Sequence, residues 1–324
     1  MKWLNRLFAM GMLSWVLLDG TAIAQTPPWP ARTVRIVVPS SPGGGTDIVA
    51  RLIAQKLSDS FGQTFVVENR PGAGQALGID IVAHAPADGY TLLMAASAIV
   101  LNQVASKKAA YDTVRDFAPI TEVAELSNVL VVHPALPVNS VTELIAYAKA
   151  HPGLNYSSAG AGTSPHFSME LFRSMAGITL THVPYKGTAP AITDLVAGQV
   201  ELSMVNILTA RPHIQSGKLR ALGVTGTRRT ASLPTLPPIS EAGLPGYEST
   251  QWYGLLAPTG IPPAIVARLQ AQVAKSLALQ DVKERLAADG AEAVGNRPEE
   301  FGAYLKTEIN KWGKVVKTAN ITLD

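Results

Sequence analysis

Two short strings in this chain have the residue types and spacing to hold an anion. Ser40-Ser41-Pro42-Gly43-Gly44-Gly45-Thr46 and Ser157-Ser158-Ala159-Gly160-Ala161-Gly162-Thr163 agree at five of seven positions, 117 residues apart. Each stands between a run of strand character and a run with helical spacing, a shared context that favours equivalent roles over coincidence. Glycine lets the backbone come close to a ligand, and the following helix points free N–H groups and its positive dipole end outward. Such a turn can bind an anion without a basic side chain. Thr46 and Thr163 add hydroxyls, and Ser164-Pro165 reads as an N-cap followed by the first helical residue. No Lys follows the glycines as in a P-loop, and Ile48 and Pro165 stand where a dinucleotide fingerprint needs its last glycine. Nucleotide binding is therefore not expected. Two such turns, one in each half, suggest two domains facing each other across a cleft that takes a carboxylate.

Other side chains could line that cleft. His166 follows the second turn, and an ordinary polar residue in a first helical turn is an equal reading of it. Asp47 sits where the helix dipole favours a carboxylate whatever the function, and it would repel an acid ligand unless water or an amino group intervened. Tyr185-Lys186-Gly187 follows a short strand and could present a phenol and an ammonium; an ordinary turn is the alternative. Ser97 and Asn206 each end a strand, one in each half, whereas Trp252 and Tyr253 read as core where the chain returns to the first half. Catalysis has little to rest on. The six histidines form neither H-x-H nor H-E-x-x-H, and there is no G-x-S-x-G elbow and no cysteine. No catalytic residue, metal or cofactor is expected.

The elements that must position these residues alternate along the chain. Strands are predicted over Thr33–Pro39, Thr64–Glu68 and Tyr90–Met94, with helices over Ile48–Leu57 and through Ile79 and Val82. The pattern restarts with strands at Val129–His133, Leu154–Ser158, Thr181–Pro184, Leu202–Val205 and Leu219–Thr225. Helices fall at Ser140–Ala150, Pro165–Met175 and Pro190–Ala197, with Ser140 as N-cap of the first. Pro262 to Asp324 reads as mostly helical, with helices beginning at Pro262-Pro263 and Pro298. A β-α-β-α-β order implies a parallel, doubly wound sheet with ligands beyond the strand C-terminal ends.

Composition narrows the class further. At 324 residues, 47% hydrophobic and 16% charged, the chain is globular rather than disordered and long enough for two domains. The net charge of +3 is small and unclustered, so nucleic acid is not expected as a partner. Lys2 and Arg6, the uncharged run Leu7–Leu18 and Ala22-Ile23-Ala24 make a secretory signal over residues 1–24, cleaved after Ala24. Twelve residues of helix span about 18 Å, too short for a bilayer core of about 30 Å.

Seven ordered motifs add a resemblance. They are Ile36-Val37-Val38-Pro39 through Gly45-Thr46-Asp47, Val67-Glu68-Asn69-Arg70-Pro71-Gly72-Ala73-Gly74, Asp88-Gly89-Tyr90-Thr91-Leu92-Leu93, Asp116-Phe117-Ala118-Pro119, His182-Val183-Pro184-Tyr185-Lys186-Gly187, Gly217-Lys218-Leu219-Arg220-Ala221-Leu222 and Glu241-Ala242-Gly243. Together they resemble the Bug family of periplasmic solute receptors, the binding components of tripartite tricarboxylate transporters. The resemblance implies a type II periplasmic binding protein, an α/β protein of two doubly wound lobes joined by two crossing strands. One lobe would comprise 25–124 with 250–324 and the other 125–249, with crossings near Ile120–Glu125 and Ser249–Tyr253. It implies a small organic acid held by backbone amides of Gly44, Gly45 and Thr46 and of Ala161, Gly162 and Thr163. With these, the expected ligand-binding set takes in Ser40, Asp47, Ser97, Ala159, His166, Tyr185 and Asn206. It further implies a monomer in the periplasm that works with integral membrane transporter subunits. Met204-Val205-Asn206 departs from the family, many members of which carry Asp before the Asn, and this predicts a more apolar cleft wall at Val205. Two alternatives stay open: an exported α/β enzyme acting on carboxylic acids, and a ligand-sensing subunit for a membrane histidine kinase.

Overall fold

The computed structural model describes residues 29–321 apart from 73–74, 107–108, 186, 289 and 320. The expected signal segment and Lys186 lie outside the described residues. In the first part of the chain, β1 (Val34–Val38), α1 (Gly45–Phe61), β2 (Phe65–Asn69), α2 (Ala76–Ala83), β3 (Thr91–Ala96) and α3 (Ala98–Ala105) follow one another. The long β4 (Phe117–Val132) leads to α4 (Val141–Ala150), β5 (Leu154–Ser158), α5 (Ser164–Ala176), β6 (Leu180–Pro184), α6 (Thr188–Val196), β7 (Leu202–Asn206), α7 (Ile207–Gln215) and β8 (Arg220–Val224). The chain then returns through β9 (Thr250–Pro258) to α8 (Pro263–Leu277), α9 (Gln280–Ala288), β10 (Ala291–Ala293) and α10 (Pro298–Ala319).

Strand pairing repeats the β-α-β logic of the sequence. β1 pairs in parallel with β2 and β3, and β5 pairs in parallel with β6 and β7. Between these two parallel sets run β4 and β9, antiparallel to each other from Phe117–Pro258 to Ser127–Thr250. β4 links the two sets, pairing antiparallel with β7 of the second and, through β9, reaching β3 of the first. Its partners change between Ser127, opposite Thr250, and Asn128, opposite Asn206 of β7. The ladder to β9 continues through Ser127, past the Ile120–Glu125 stretch, and β9 begins at Thr250.

Three apolar clusters fill the layers, and one of them joins the two parallel sets. It includes Val37 and Ile99 from the first, Tyr156 and Phe167 from the second, and Phe301 and Trp312 of α10. The Trp252 ring on β9 meets Phe301 edge-on at 5.5 Å, and Phe167 on α5 meets Trp312 edge-on at 5.7 Å. α10 thus fastens the returning strand and the second set to one helix. Ser140 caps α4 as expected, accepting from the Glu143 N–H at 3.1 Å.

One buried acid in β4 gives a stability prediction. Glu122 is 5% exposed; one carboxylate oxygen accepts from Asn296 Nδ2 at 3.3 Å and the other has no partner among the described residues. Burial pushes its pKa up to about 8, and the nearby Glu125 and Glu308 add repulsion. An acid whose folded pKa is raised contributes stability that is whole below its ordinary value of 4.5 and lost as pH rises to about 8. Glu122→Gln keeps the shape without the charge. Its melting temperature should rise relative to wild type from pH 5 to pH 8, a growing advantage of roughly 1–3 kcal/mol. A difference that stays constant over that range would refute the buried-acid reading.

Candidate ligand-binding site

The first turn is built by α1 and locked by a carboxylate. Gly44 is the N-cap, in extended conformation with no side-chain cap, and the first intrahelical bond runs from the Ile48 N–H to the Gly44 carbonyl at 3.0 Å. The N–H groups of Gly45, Thr46 and Asp47 are therefore without helical acceptors, at the positive end of a 17-residue helix. Asp47 is 3% exposed and accepts from the Gly43 N–H at 2.9 Å, Arg51 Nε at 3.0 Å and Asn69 Nδ2 at 2.9 Å. Burial alone would raise its pKa, but the hydrogen bonds from Arg51, Gly43 and Asn69 outweigh this and hold it below the ordinary value. Asp47, one of the expected ligand contacts, accepts hydrogen bonds from the protein at both carboxylate oxygens and so shapes the turn. Sequence reasoning passed over Asn69, whose Nδ2 also donates to the Ser40 carbonyl at 3.1 Å. The Ser40 and Ser97 hydroxyls are both buried without a partner among the described residues.

Packing explains why position 45 has no side chain. A Cβ there would lie 2.2 Å from the Tyr253 hydroxyl of β9. Read from sequence as core, Tyr253 is buried and also touches the first glycine turn.

The second turn has the same place, between β5 and α5, but different internal bonds. Thr163, not Ser164, is the N-cap, and the first intrahelical bond runs from the Phe167 N–H to the Thr163 carbonyl at 3.1 Å. The Thr163 hydroxyl donates to the Gly160 carbonyl at 2.7 Å. Gly162 stands at φ 81°, where a side chain would be strained. Its N–H donates to Nδ1 of His166 at 3.3 Å, and the Thr163 N–H approaches the Gly160 carbonyl at 3.4 Å. Of the three amides expected to meet a ligand here, those of Gly162 and Thr163 are thus engaged internally. The Ala161 N–H has no acceptor among the described residues. Neither do those of Ser164 and His166 in the first turn of α5. The Ala159 carbonyl accepts from the Gly187 N–H at 3.1 Å, tying the turn to the loop after β6.

Two further residues singled out from the sequence have these surroundings. The Tyr185 phenol donates to Asp194 on α6 at 2.7 Å, and burial with that bond pushes its pKa up to about 12. That bond fastens the loop after β6 to α6. Val205 packs with Val129, Ile192 and Leu195 in a core cluster, so it forms no cleft wall. Asn206 ends β7 opposite Asn128, a residue the sequence reading passed over. Asn128 is fully buried, donates from Nδ2 to the Ser164 hydroxyl at 3.2 Å and leaves Oδ1 without a partner among the described residues. The paired strands β4 and β9 thus touch both turns, through Asn128 at one and Tyr253, opposite Ala124, at the other. These points lie about 13 Å apart along β4.

The arrangement offers hydrogen-bond donors and dipoles at the C-terminal ends of β1 and β5, where parallel sheets bind ligands. A hollow of about 40 Å³ is lined by residues that include Ser127, Arg228 and Thr250, and one of about 440 Å³ by residues that include Leu219 and Leu236; no residue of either turn lines them. Among the described residues no three His, Asp or Glu side chains are grouped to hold a metal ion. None of the described helices is long and apolar enough to cross a membrane.

Residues 49–321 match the family model described as tripartite tricarboxylate transporter family receptor. The chain belongs to this receptor family. BugT of Bordetella pertussis is 36% identical over 298 residues, covering 91% of each chain. The solved structure of R. palustris Rpa4515 with adipate is 41% identical with a TM-score of 0.82, covering 91% of this chain and 99% of that one. MatC from Rhodopseudomonas palustris with bound malate is 35% identical with a TM-score of 0.78, covering 89% and 100%. The resemblance to Bug receptors carried by the sequence motifs holds, and with it the two-part periplasmic-binding-protein fold. The receptors of this family serve transporters, which sets the glycine turns in a binding protein.

Proposed function

We propose that this receptor captures a small organic acid in the periplasm, between its two glycine turns, and hands it unchanged to the membrane subunits of its transporter. The observation that carries the reading is the first turn of α1, where three N–H groups have no helical acceptor and Asp47 fixes the loop around them. Two relatives solved with the dicarboxylates adipate and malate support the ligand class. In this reading, residues after the signal up to Ser127, with 250–324, form one lobe and 128–249 the other. The lobes hinge where β4 changes partners, and the protein acts as a monomer exported by removal of residues 1–24.

The test uses protein purified from the periplasm, whose first residue is expected to be Gln25; a retained Met1 would refute export by cleavage. A thermal-shift panel of linear dicarboxylates, tricarboxylates and aromatic acids should contain one that stabilises the protein. At about 100 times its dissociation constant, an acid that binds only the folded state adds about 2.7 kcal/mol. The bound acid should be recovered chemically intact. A ligand that prefers the closed state shifts the lobes toward it, so the radius of gyration in solution scattering should fall on saturation. No stabilisation by any acid would overturn the ligand class, and an unchanged radius at saturation would overturn the closing motion.

A further inference from the structure

Below the second glycine turn lies a stack of rings that the binding reading does not use. His166 on α5 and His182 on β6 lie face to face, with centroids 4.2 Å apart and planes at 15°. Tyr156 on β5 continues the stack against His182 at 4.7 Å and 15°. Each imidazole ends on the turn. His166 Nδ1 accepts the Gly162 N–H at 3.3 Å. His182 Nε2 lies 2.7 Å from the Ser158 hydroxyl, and that oxygen accepts the Gly160 N–H at 3.1 Å.

We propose that His166 and His182 are a pair of positioning residues that hold the second glycine turn in its ligand-ready shape, His166 directly and His182 through Ser158. The proposal rests on the reading of that turn as a ligand site and gives His166 a role other than ligand contact. Gly160 and Gly162 stand at φ 132° and 81°, a shape that needs its internal bonds to persist. Swinging the Gly162 N–H away from His166 would redirect the adjoining peptides, including the Ala161 N–H, which has no acceptor among the described residues. Stacking restricts both rings. Accepting from Gly162 also requires a His166 ring without a proton on Nδ1. Burial lowers the proton affinity of both rings, which agrees with that state. Beneath the stack, Glu170 accepts from Tyr156 at 2.6 Å and is paired with Arg173, also at 2.6 Å, so its charge is already matched.

The geometry also supplies the controls. An asparagine at 166 can place its side-chain oxygen near the position of Nδ1, and a glutamine at 182 can place a polar atom near that of Nε2. Leucine in either place fills the space without the hydrogen bond. Four variants, His166→Asn, His166→Leu, His182→Gln and His182→Leu, are compared with wild type in two measurements. The first is amide hydrogen exchange without ligand. Gly162 should exchange at least tenfold faster in His166→Leu, and Gly160 at least tenfold faster in His182→Leu, with the polar variants close to wild type. The second is affinity for an acid that binds the wild type, which should fall at least tenfold in the leucine variants and less than threefold in the polar ones. If His166→Asn loses affinity as fully as His166→Leu while its exchange stays slow, His166 touches ligand and the positioning role is wrong. Unchanged exchange in both leucine variants would also overturn it. If no acid binds the wild type, the exchange arm still decides the positioning role, and the failure belongs to the ligand reading.

Discussion

Gly45→Val is expected to weaken acid binding at least a hundredfold while the protein still folds. A Cβ at this position would lie 2.2 Å from the Tyr253 hydroxyl and 3.1 Å from the ring carbon that bears it. Tyr253 is held in β9, paired on one side with Ala96 and on the other with Ala124, so the turn must give as well as the ring. Hydrogen bonds weaken steeply beyond about 3.2 Å, so a shift of about 1 Å in the amides of Gly45, Thr46 and Asp47 removes their common aim. A hundredfold loss corresponds to about 2.7 kcal/mol. Overpacking costs about 1–3 kcal/mol of stability, too little to unfold a protein of this size. A second pair of variants separates packing from recognition. Gly45→Ala with Tyr253→Phe removes the nearest clashing atom, so melting should recover toward wild type while affinity recovers less. Normal affinity and unchanged melting in Gly45→Val would refute the role of the first turn.

The contrast between the two turns shows how far sequence could carry the site. Strings that agree at five of seven positions do fall at equivalent places, each between a parallel strand and a helix. Periodicity finds such places because burial on the sheet and along the helix face sets the spacing of apolar residues. It does not reveal which N–H groups a turn keeps for itself. Gly43 donates to Asp47 in the first turn and Gly162 to His166 in the second, each four residues on, yet the two glycines are not equivalent in the repeat. The first turn therefore leaves its helix-start amides without helical acceptors, whereas the second engages two of the three expected donors. Likewise β9 and the first half of β4 were hard to read. Pro119, Glu122 and Glu125 interrupt the apolar pattern of β4, and its register shifts at Pro119–Thr121 and Glu122–Ala124 break the period of two. His182 and Asn128 carried no local signal, because their partners Ser158 and Ser164 are distant in sequence and meet them only in the fold.

The largest loss of stability should come from Phe301→Ala, at about 3–5 kcal/mol in chemical denaturation. Phe301 is fully buried on α10, with its ring against Trp252 and over the backbone of Gly254. The glycine makes that contact possible: a Cβ at 254 would lie 2.3 Å from the Phe301 ring. Position 254 and position 301 therefore share one volume, and their substitutions cannot be additive. Gly254→Ala alone should overpack the site and cost about 1–3 kcal/mol. In the Phe301→Ala background the same methyl enters the emptied space, so Gly254→Ala should there be neutral or stabilising. The sign reversal is a stronger test than either loss by itself, because a general weakening of α10 would leave both substitutions destabilising. α10 also reaches the second parallel set through Trp312 and Phe167. Releasing its Phe301 end should therefore loosen β9, the strand that carries Tyr253 to the first turn, and acid affinity should fall along with stability. A cost below about 1 kcal/mol for Phe301→Ala, or additive effects in the double variant, would mean that α10 does not lock the returning strand.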